Sequence, residues 1–357
     1  MNEEDVIKLF LKNGYQLSKR ALPLVLSRPE QVIIELGKLT PRPLFVTEEH
    51  IQNILKDKMK LKPKIIKEYK KTKEKMKIED YVNCLSSYYE KIRTIILKRM
   101  NKEKLISINK IHPQTSNFSI IGIVRERGDN NIILEDPSGE LTVLFENELK
   151  QKLVDIRLDD IIGLDCKKTK EKVYAKNVYY PDILSSREIN KTETEIKIAI
   201  LSNLSSLKKE KFQKLITLLT QEEKLSLLFV FSSEETIDSL LKFNPINIPQ
   251  NAIPQLIEIN NIKTLILPKG FFDSSNKITT PMDFLVSILK RRNMLPSFNL
   301  LLSSECFVLD EIPDIIISNF NQSVFKNYKG TTIISNSDPS TIYLVNLKTR
   351  EIEEKGL

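Results

Sequence analysis

Histidine is nearly absent from this 357-residue chain: there are two, His50 and His112, and none follows. A serine hydrolase therefore has no imidazole base beyond residue 112, and no serine there sits in a nucleophile elbow. Glycine is scarce too, at nine residues, and only Gly270 and Gly330 fall between residues 190 and 340. Loops that cradle phosphate are rich in glycine, and neither such a loop nor a P-loop is spelled out. Cys84, Cys166 and Cys306 stand far apart, which argues against a disulfide framework or zinc ribbon and reads them as small buried hydrophobes. No run approaches the roughly 18 apolar residues of a membrane span. The start, MNEEDVIKLF, lacks a signal-peptide layout, so a cytoplasmic protein without membrane contact is expected.

The length suggests two or three domains, and a hydrophobic content of 41% is enough to build their cores. The net charge of +8 is local. Residues 56–77, KDKMKLKPKIIKEYKKTKEKMK, hold eleven lysines against Asp57, Glu68 and Glu74, which accounts for the whole excess. Such a tract is a solvated linker or a polyanion contact. In the second case Lys62, Lys64, Lys67, Lys70 and Lys71 are the candidate nucleic-acid ligands.

Residues 1–55 read as a helical module. Apolar positions in DVIKLFLKNGY follow helical spacing and stop at Asn13-Gly14, and Thr47 is an N-cap candidate. After the linker, residues 78–105 read as a connecting amphipathic helix. The period then changes to two. FSIIGIVRER, NIILEDPSGELTVLF, DDIIGLDCKK and KVYAKNVYYPD give five strands, with the helical stretch ENELKQKLV between the third and fourth. Across 106–190 that is the element order of a five-stranded OB-fold barrel. Arg125, Arg127, Lys167 and Lys168 are its candidate nucleic-acid contacts, with Phe118, Phe145, Tyr174, Tyr179 and Tyr180 as stacking platforms or, on burial preference, core. Lys290-Arg291-Arg292 closes a later helix and reads as complementing its dipole. From 191 to 357, strands such as EIKIAIL, KLSLLFVF and IKTLILP alternate with helices, and the pattern ends in ECFVLDEIPDIII, TTIISNS and TIYLVNL. The fold class expected is multidomain α+β: a helical module, a β-barrel and an α/β sandwich.

Strand ends are where α/β proteins gather ligands. Here they carry Ser202-Asn203-Leu204-Ser205, Ser232-Ser233-Glu234-Glu235, Lys269-Gly270-Phe271-Phe272-Asp273 and Ser318-Asn319-Phe320-Asn321-Gln322. Amides and hydroxyls dominate, and Glu234-Glu235 suits the first turn of a helix.

The order of these parts, with IIGIVRERGDNNIILEDPSGELTVLF, LKRRNMLPSFN, FVLDEIPDIIIS and YKGTTIISNSDPST, resembles the small subunit of archaeal family D DNA polymerase. That family is related to eukaryotic B-subunits. The resemblance implies an OB fold followed by a calcineurin-like phosphoesterase domain with a two-metal site. Laid on this chain, the Ser-Asp-x-His motif falls on Ser202-Asn203-Leu204-Ser205, and the Gly-Asp motif falls near Phe231-Ser232-Ser233. Pro-Gly-Asn-His-Asp falls on Pro268-Lys269-Gly270-Phe271-Phe272, and Gly-His-x-His on Asn319-Phe320-Asn321-Gln322. Asn203, Ser205, Gly270, Phe271, Phe320 and Gln322 thus stand at degenerate positions, and neither metal nor any other cofactor is expected.

The function implied is a non-catalytic accessory subunit in DNA replication. Its partners would be the large catalytic subunit, through that subunit's zinc-containing C-terminal region, and DNA, with a nucleoid-associated location. Other replisome proteins would be recruited by the N-terminal helices on a mobile lysine tether. The alternatives are an active metal-dependent 3′–5′ exonuclease with relocated ligands Glu234, Glu235 and Asp273, and a standalone OB-fold single-strand binder.

Overall fold

A computed structural model describes residues 3–26, 29–37, 39, 41–51, 61–69, 77–222, 224–232, 238–249, 252–271, 280–294 and 307–357. It is a mixed α/β structure with several sheets. The first part comprises α1 (Glu3–Lys12), β1 (Gln16–Leu17), α2 (Leu22–Val25), α3 (Pro29–Leu36) and β2 (Phe45–Val46). Val6 and Phe10, four apart on α1, enter a small core with Val25, Leu36, Val46 and Ile51. Gly14 stops the helix in the left-handed region (φ 82°), which a side chain would disfavour.

The lysine-rich span is not tether throughout. Lys64–Glu68 forms β3, an edge strand antiparallel to β12 (Gln255–Ile259) in a six-stranded sheet. Tyr69 follows it into the core, stacked on Phe307 at 6.2 Å. Burial of Tyr69 anchors a segment whose lysines alone would keep it in water. The strand was not legible because its alternation is interrupted by charge, and because lysine is a common guard on sheet edges.

Helix α4 (Ile78–Leu97) is shorter than the expected 78–105: Lys98 caps it, and short 3₁₀ turns follow at Lys102–Lys104 and Ile108–Lys110. Asp80 accepts from the Lys77 amide at 3.1 Å at its start. Cys84, Tyr88, Ile92 and Ile96 repeat every four residues and pack on Ile121 and Ile161 of the sheet beneath. Gly163 allows this approach, since a Cβ there would overlap the Met100 sulfur.

That sheet comprises β4 (Asn117–Arg127), β5 (Asn131–Asp136), β6 (Gly139–Leu144), β7 (Ile161–Thr169) and β8 (Lys172–Tyr179), with α5 (Leu149–Leu153) between β6 and β7. The strands close in the order β4-β5-β6-β8-β7, although β6 and β8 meet at a single parallel bridge, Leu144 to Tyr174. Alternate residues, among them Phe118, Ile120, Ile132, Leu134, Val143, Phe145, Leu164 and Ala175, fill the inside.

The remainder is two facing sheets. One has the order β11 (Pro245–Asn247), β10 (Leu225–Phe231), β9 (Lys197–Ser202), β17 (Thr341–Asn346), β18 (Ile352–Gly356). The other runs β15 (Val324–Tyr328), β16 (Thr331–Ser335), β14 (Ile315–Ser318), β13 (Ile262–Leu267), β12, β3. Strand alternation sorts the isoleucines. Ile315 and Ile317 face the inter-sheet core with Ile200, Phe229 and Tyr343. Ile316 faces the opposite core beneath α7 (Pro281–Arg291). Helix α6 (Lys209–Gln221) covers the other sheet through Leu215 and Leu219.

Candidate functional site

Strands β9 and β10 are parallel, as are β13, β14 and β16, so each set ends together. At the end of β9, Asn203 takes the left-handed conformation (φ 51°), which asparagine tolerates better than most residues. Its side-chain amide donates to the Ser337 carbonyl at 2.9 Å. Ser205 is exposed. After β13, Gly270 is exposed and Phe271 is buried against Phe307, with ring centres 5.9 Å apart. After β14, Asn319 and Phe320 are buried, whereas Gln322 is exposed. The Phe320 ring packs 5.8 Å from Phe284 of α7 and belongs to the core under that helix. Ser233, Glu234, Glu235, Phe272 and Asp273 lie outside the described residues.

What the strand ends present is hydroxyls and amides, and most are structurally engaged. Asn336 takes the Ser318 carbonyl with its backbone and donates its amide to the carbonyls of Ile200 (3.1 Å) and Thr341 (2.9 Å), joining the two sheets. Asp338, a carboxylate on the adjoining loop, accepts from the Ser340 amide and the Thr341 hydroxyl. Among the described residues, the Asn319 amide and the Ser202 hydroxyl are buried without a hydrogen-bond partner. Among the described residues, no three His, Cys, Asp or Glu side chains gather closely enough to hold a metal ion.

The candidate nucleic-acid residues fall in three places. Lys62, Lys64 and Lys67 lie on or beside β3, with Lys67 2.8 Å from Asp310, and Lys70 and Lys71 lie outside the described residues. Arg125 and Arg127 end β4, where Arg125 pairs with Glu135. Lys167 lies opposite Asn117 at the other end of β4. Eight residues of strand separate Asn117 from Arg125, about 26 Å at ~3.3 Å per residue. The two barrel groups are therefore not one patch. Lys168 donates to the His112 carbonyl at 3.2 Å. Of the aromatic candidates, Phe118 and Phe145 are core, and Tyr179 donates to Asp165 at 2.7 Å. Tyr180 sits under the Lys290 ammonium at 4.3 Å. Tyr174 is half-buried on the outer surface.

Lys290, Arg291 and Arg292 do more than complement a helix dipole. Arg291 Nε is 2.8 Å from the Asp160 carboxylate, and Lys290 is 3.1 Å from Asp155, so both bind the barrel. Arg292 is buried, in the left-handed region (φ 51°), and donates to the carbonyls of Pro181 (3.2 Å) and Leu309 (3.1 Å). Burial, with Arg99 and Arg187 nearby, lowers its pKa to about 10, so it remains charged at neutral pH. A triple of basic residues at a helix end was legible, but its barrel-side partners, over a hundred residues earlier, were not.

A scan against protein-family models finds no match. The chain is similar to the DNA polymerase II small subunit of Archaeoglobus fulgidus, 22% identical over 205 residues. That region is 50% of this chain and 42% of the relative, so the match spans less than half the relative's length. Among solved structures, a Thermotoga maritima protein determined by NMR aligns with 45% of this chain and 99% of its own, at 12% identity and a TM-score of 0.28. SET3, a superantigen-like protein from Staphylococcus aureus, aligns with 43% of this chain and 75% of its own, at 11% identity and a TM-score of 0.15. Scores that low carry no information on function. Among the described residues, no helix is long and apolar enough to cross a membrane.

Proposed function

We propose that this chain is a non-catalytic accessory subunit of a replicative DNA polymerase, serving as an assembly surface for the large catalytic subunit. The observation that carries the reading is the similarity to the archaeal DNA polymerase II small subunit over half of the chain. Two features of the architecture favour it. The barrel's strand order, with a helix between the third and fourth strands, suits an OB fold spanning 106–190. Two facing sheets with helices outside suit a calcineurin-like domain spanning 191–357.

Such a domain would ordinarily hold two metal ions, and the donor set here does not fit them. Metal hydrolysis needs carboxylates and imidazoles. Asn203 has committed its amide to Ser337, Ser205 and Gln322 are exposed, and Phe271 and Phe320 are hydrocarbon packed into the core. We therefore derive no hydrolytic step through this site. Residues 1–55 would recruit further replication proteins, and lysines of the 56–77 segment would help engage DNA.

The test is affinity capture of the tagged full chain from native extract, paired with a nuclease assay on single-stranded DNA with manganese. A stoichiometric large polymerase subunit and intact DNA are expected. Metal-dependent degradation of the DNA, or capture without the large subunit, overturns the reading.

A further inference from the structure

The hairpin from Lys167 to Lys176, KKTKEKVYAK, contains five lysines and one glutamate. Strand alternation sends Val173 and Ala175 into the barrel core and leaves Lys172 and Tyr174 on the outer face of β8, with exposed Lys176 at a bulge just after Ala175. The pairing register sets Lys167 of β7 directly opposite Tyr174, and the half-buried Leu144 of β6 meets Tyr174 from the other side. Tyr174 thus has exposed Lys167 on the neighbouring strand on one side, half-buried Leu144 on the other, and exposed Lys172 and Lys176 along its own strand.

These groups are uncommitted. Among the described residues, the side chains of Lys167, Lys172, Lys176 and Tyr174 have no hydrogen-bond or ion-pair partner, whereas Arg125 is held by Glu135. The neighbouring outward carboxylate, Asp165, is already engaged by Ser119 (2.6 Å) and Tyr179 (2.7 Å). Along β8, Lys172 and Tyr174 are about 7 Å apart at ~3.3 Å per residue, and Lys176 follows at the bulge.

We propose that this outer face of the β7–β8 hairpin binds single-stranded nucleic acid, with a base stacked on Tyr174 and the flanking phosphates held by Lys167, Lys172 and Lys176. Lysines supply the phosphate contacts, and the solvent-facing part of the half-buried Tyr174 ring supplies a platform that accepts any base. A duplex hides its base faces and would leave the ring unused. The site is a property of this chain alone and does not depend on the accessory-subunit reading.

The test is fluorescence anisotropy with the purified full chain, using a labelled dT oligomer of about 10 nucleotides and a duplex of equal length. Tighter binding of the single strand is expected. Tyr174→Ala should weaken it about tenfold while Tyr174→Phe, which keeps the ring, stays near the parent. Combined Lys167→Ala, Lys172→Ala and Lys176→Ala should flatten the slope of log affinity on log salt by about 2, at ~0.7 for each lost phosphate contact. Equal affinity for the duplex, or unchanged binding by Tyr174→Ala, overturns the proposal. So does displacement of the oligomer by polyglutamate more readily than by unlabelled dT, which would assign the strip to an acidic polypeptide. Capture of the large subunit by the same variants is scored separately, so either proposal can fail alone.

Discussion

Arg291, near the end of α7, sets its Nε 2.8 Å from the carboxylate of Asp160, at the entry to barrel strand β7. Both side chains are at most one tenth exposed, and the second Asp160 oxygen accepts from the Arg157 amide at 2.9 Å. The guanidinium also reaches the Asp155 carbonyl at 2.5 Å and the Ser287 hydroxyl at 3.1 Å. Burial holds the Asp160 pKa above its ordinary value despite the opposing pull of Arg291, so the pair offsets only part of the desolvation penalty of its buried charges. Because α7 is packed on the six-stranded sheet, this contact couples barrel and sandwich.

Removing one partner should therefore cost more than an exposed pair would. Asp160→Ala is expected to lower stability by about 3 kcal/mol, because it leaves Arg291 buried and uncompensated. Urea unfolding of parent and variant measures this. A loss below about 1 kcal/mol would mean the pair behaves as a surface contact.

Phe320 stands at a position where the family resemblance places a histidine. Its ring is buried against Phe284, so Phe320→Ala should destabilise by roughly 3–5 kcal/mol through the cavity it leaves. Phe320→His should also destabilise and should confer no metal-dependent cleavage of single-stranded DNA. Recovery of cleavage with parental stability would contradict the core role assigned to the ring.

Glu222 ends α6 and is flanked by Lys197 at 2.8 Å and by Lys355. Burial pushes its pKa up, but the two ammonium groups outweigh this and hold the carboxyl below its ordinary value. A carboxyl lowered in the folded state stabilises above its unfolded pKa of about 4.3, and that contribution is lost as pH falls through the lower folded value. Glu222→Gln should thus cost about 1 kcal/mol at neutral pH, and this cost should shrink as the pH is lowered below the ordinary carboxylate range, which calorimetry across a pH series tests. A cost that does not change with pH would show that the lysines interact with it too weakly to matter.

Tyr69 fastens β3 to the sheet through its stack on Phe307. Tyr69→Ala should loosen the edge strand and speed tryptic cleavage after Lys64 and Lys67, read by mass spectrometry under native conditions. Cleavage as slow as in the parent would place the anchorage in the β3–β12 ladder instead.

Much of the secondary structure was legible because local rules governed it. The apolar repeat of α1 ends where Asn13-Gly14 permits a left-handed turn. The alternation in Phe118, Ile120 and Val124 sends those side chains into the barrel interior. Edge strands were harder to recognise. In β15 and β18 the exposed residues are mostly polar, and half a strand in water has little apolar period to read.

At the candidate sites, the sequence alone determined chemistry by residue type: the strand ends offer amides, hydroxyls and phenylalanines, and the barrel hairpin is rich in lysine. Only the tertiary structure decided which of those groups are free. It committed Asn203 and Asn336 to carbonyls, turned Phe320 into a core residue and spent Lys290, Arg291 and Arg292 on the barrel interface. It also separated Arg125 from Lys167 by the length of β4 and set Tyr174 between uncommitted lysines. The reason is physical: residue type sets what a side chain can bind, but burial and long-range pairing set whether a partner already holds it.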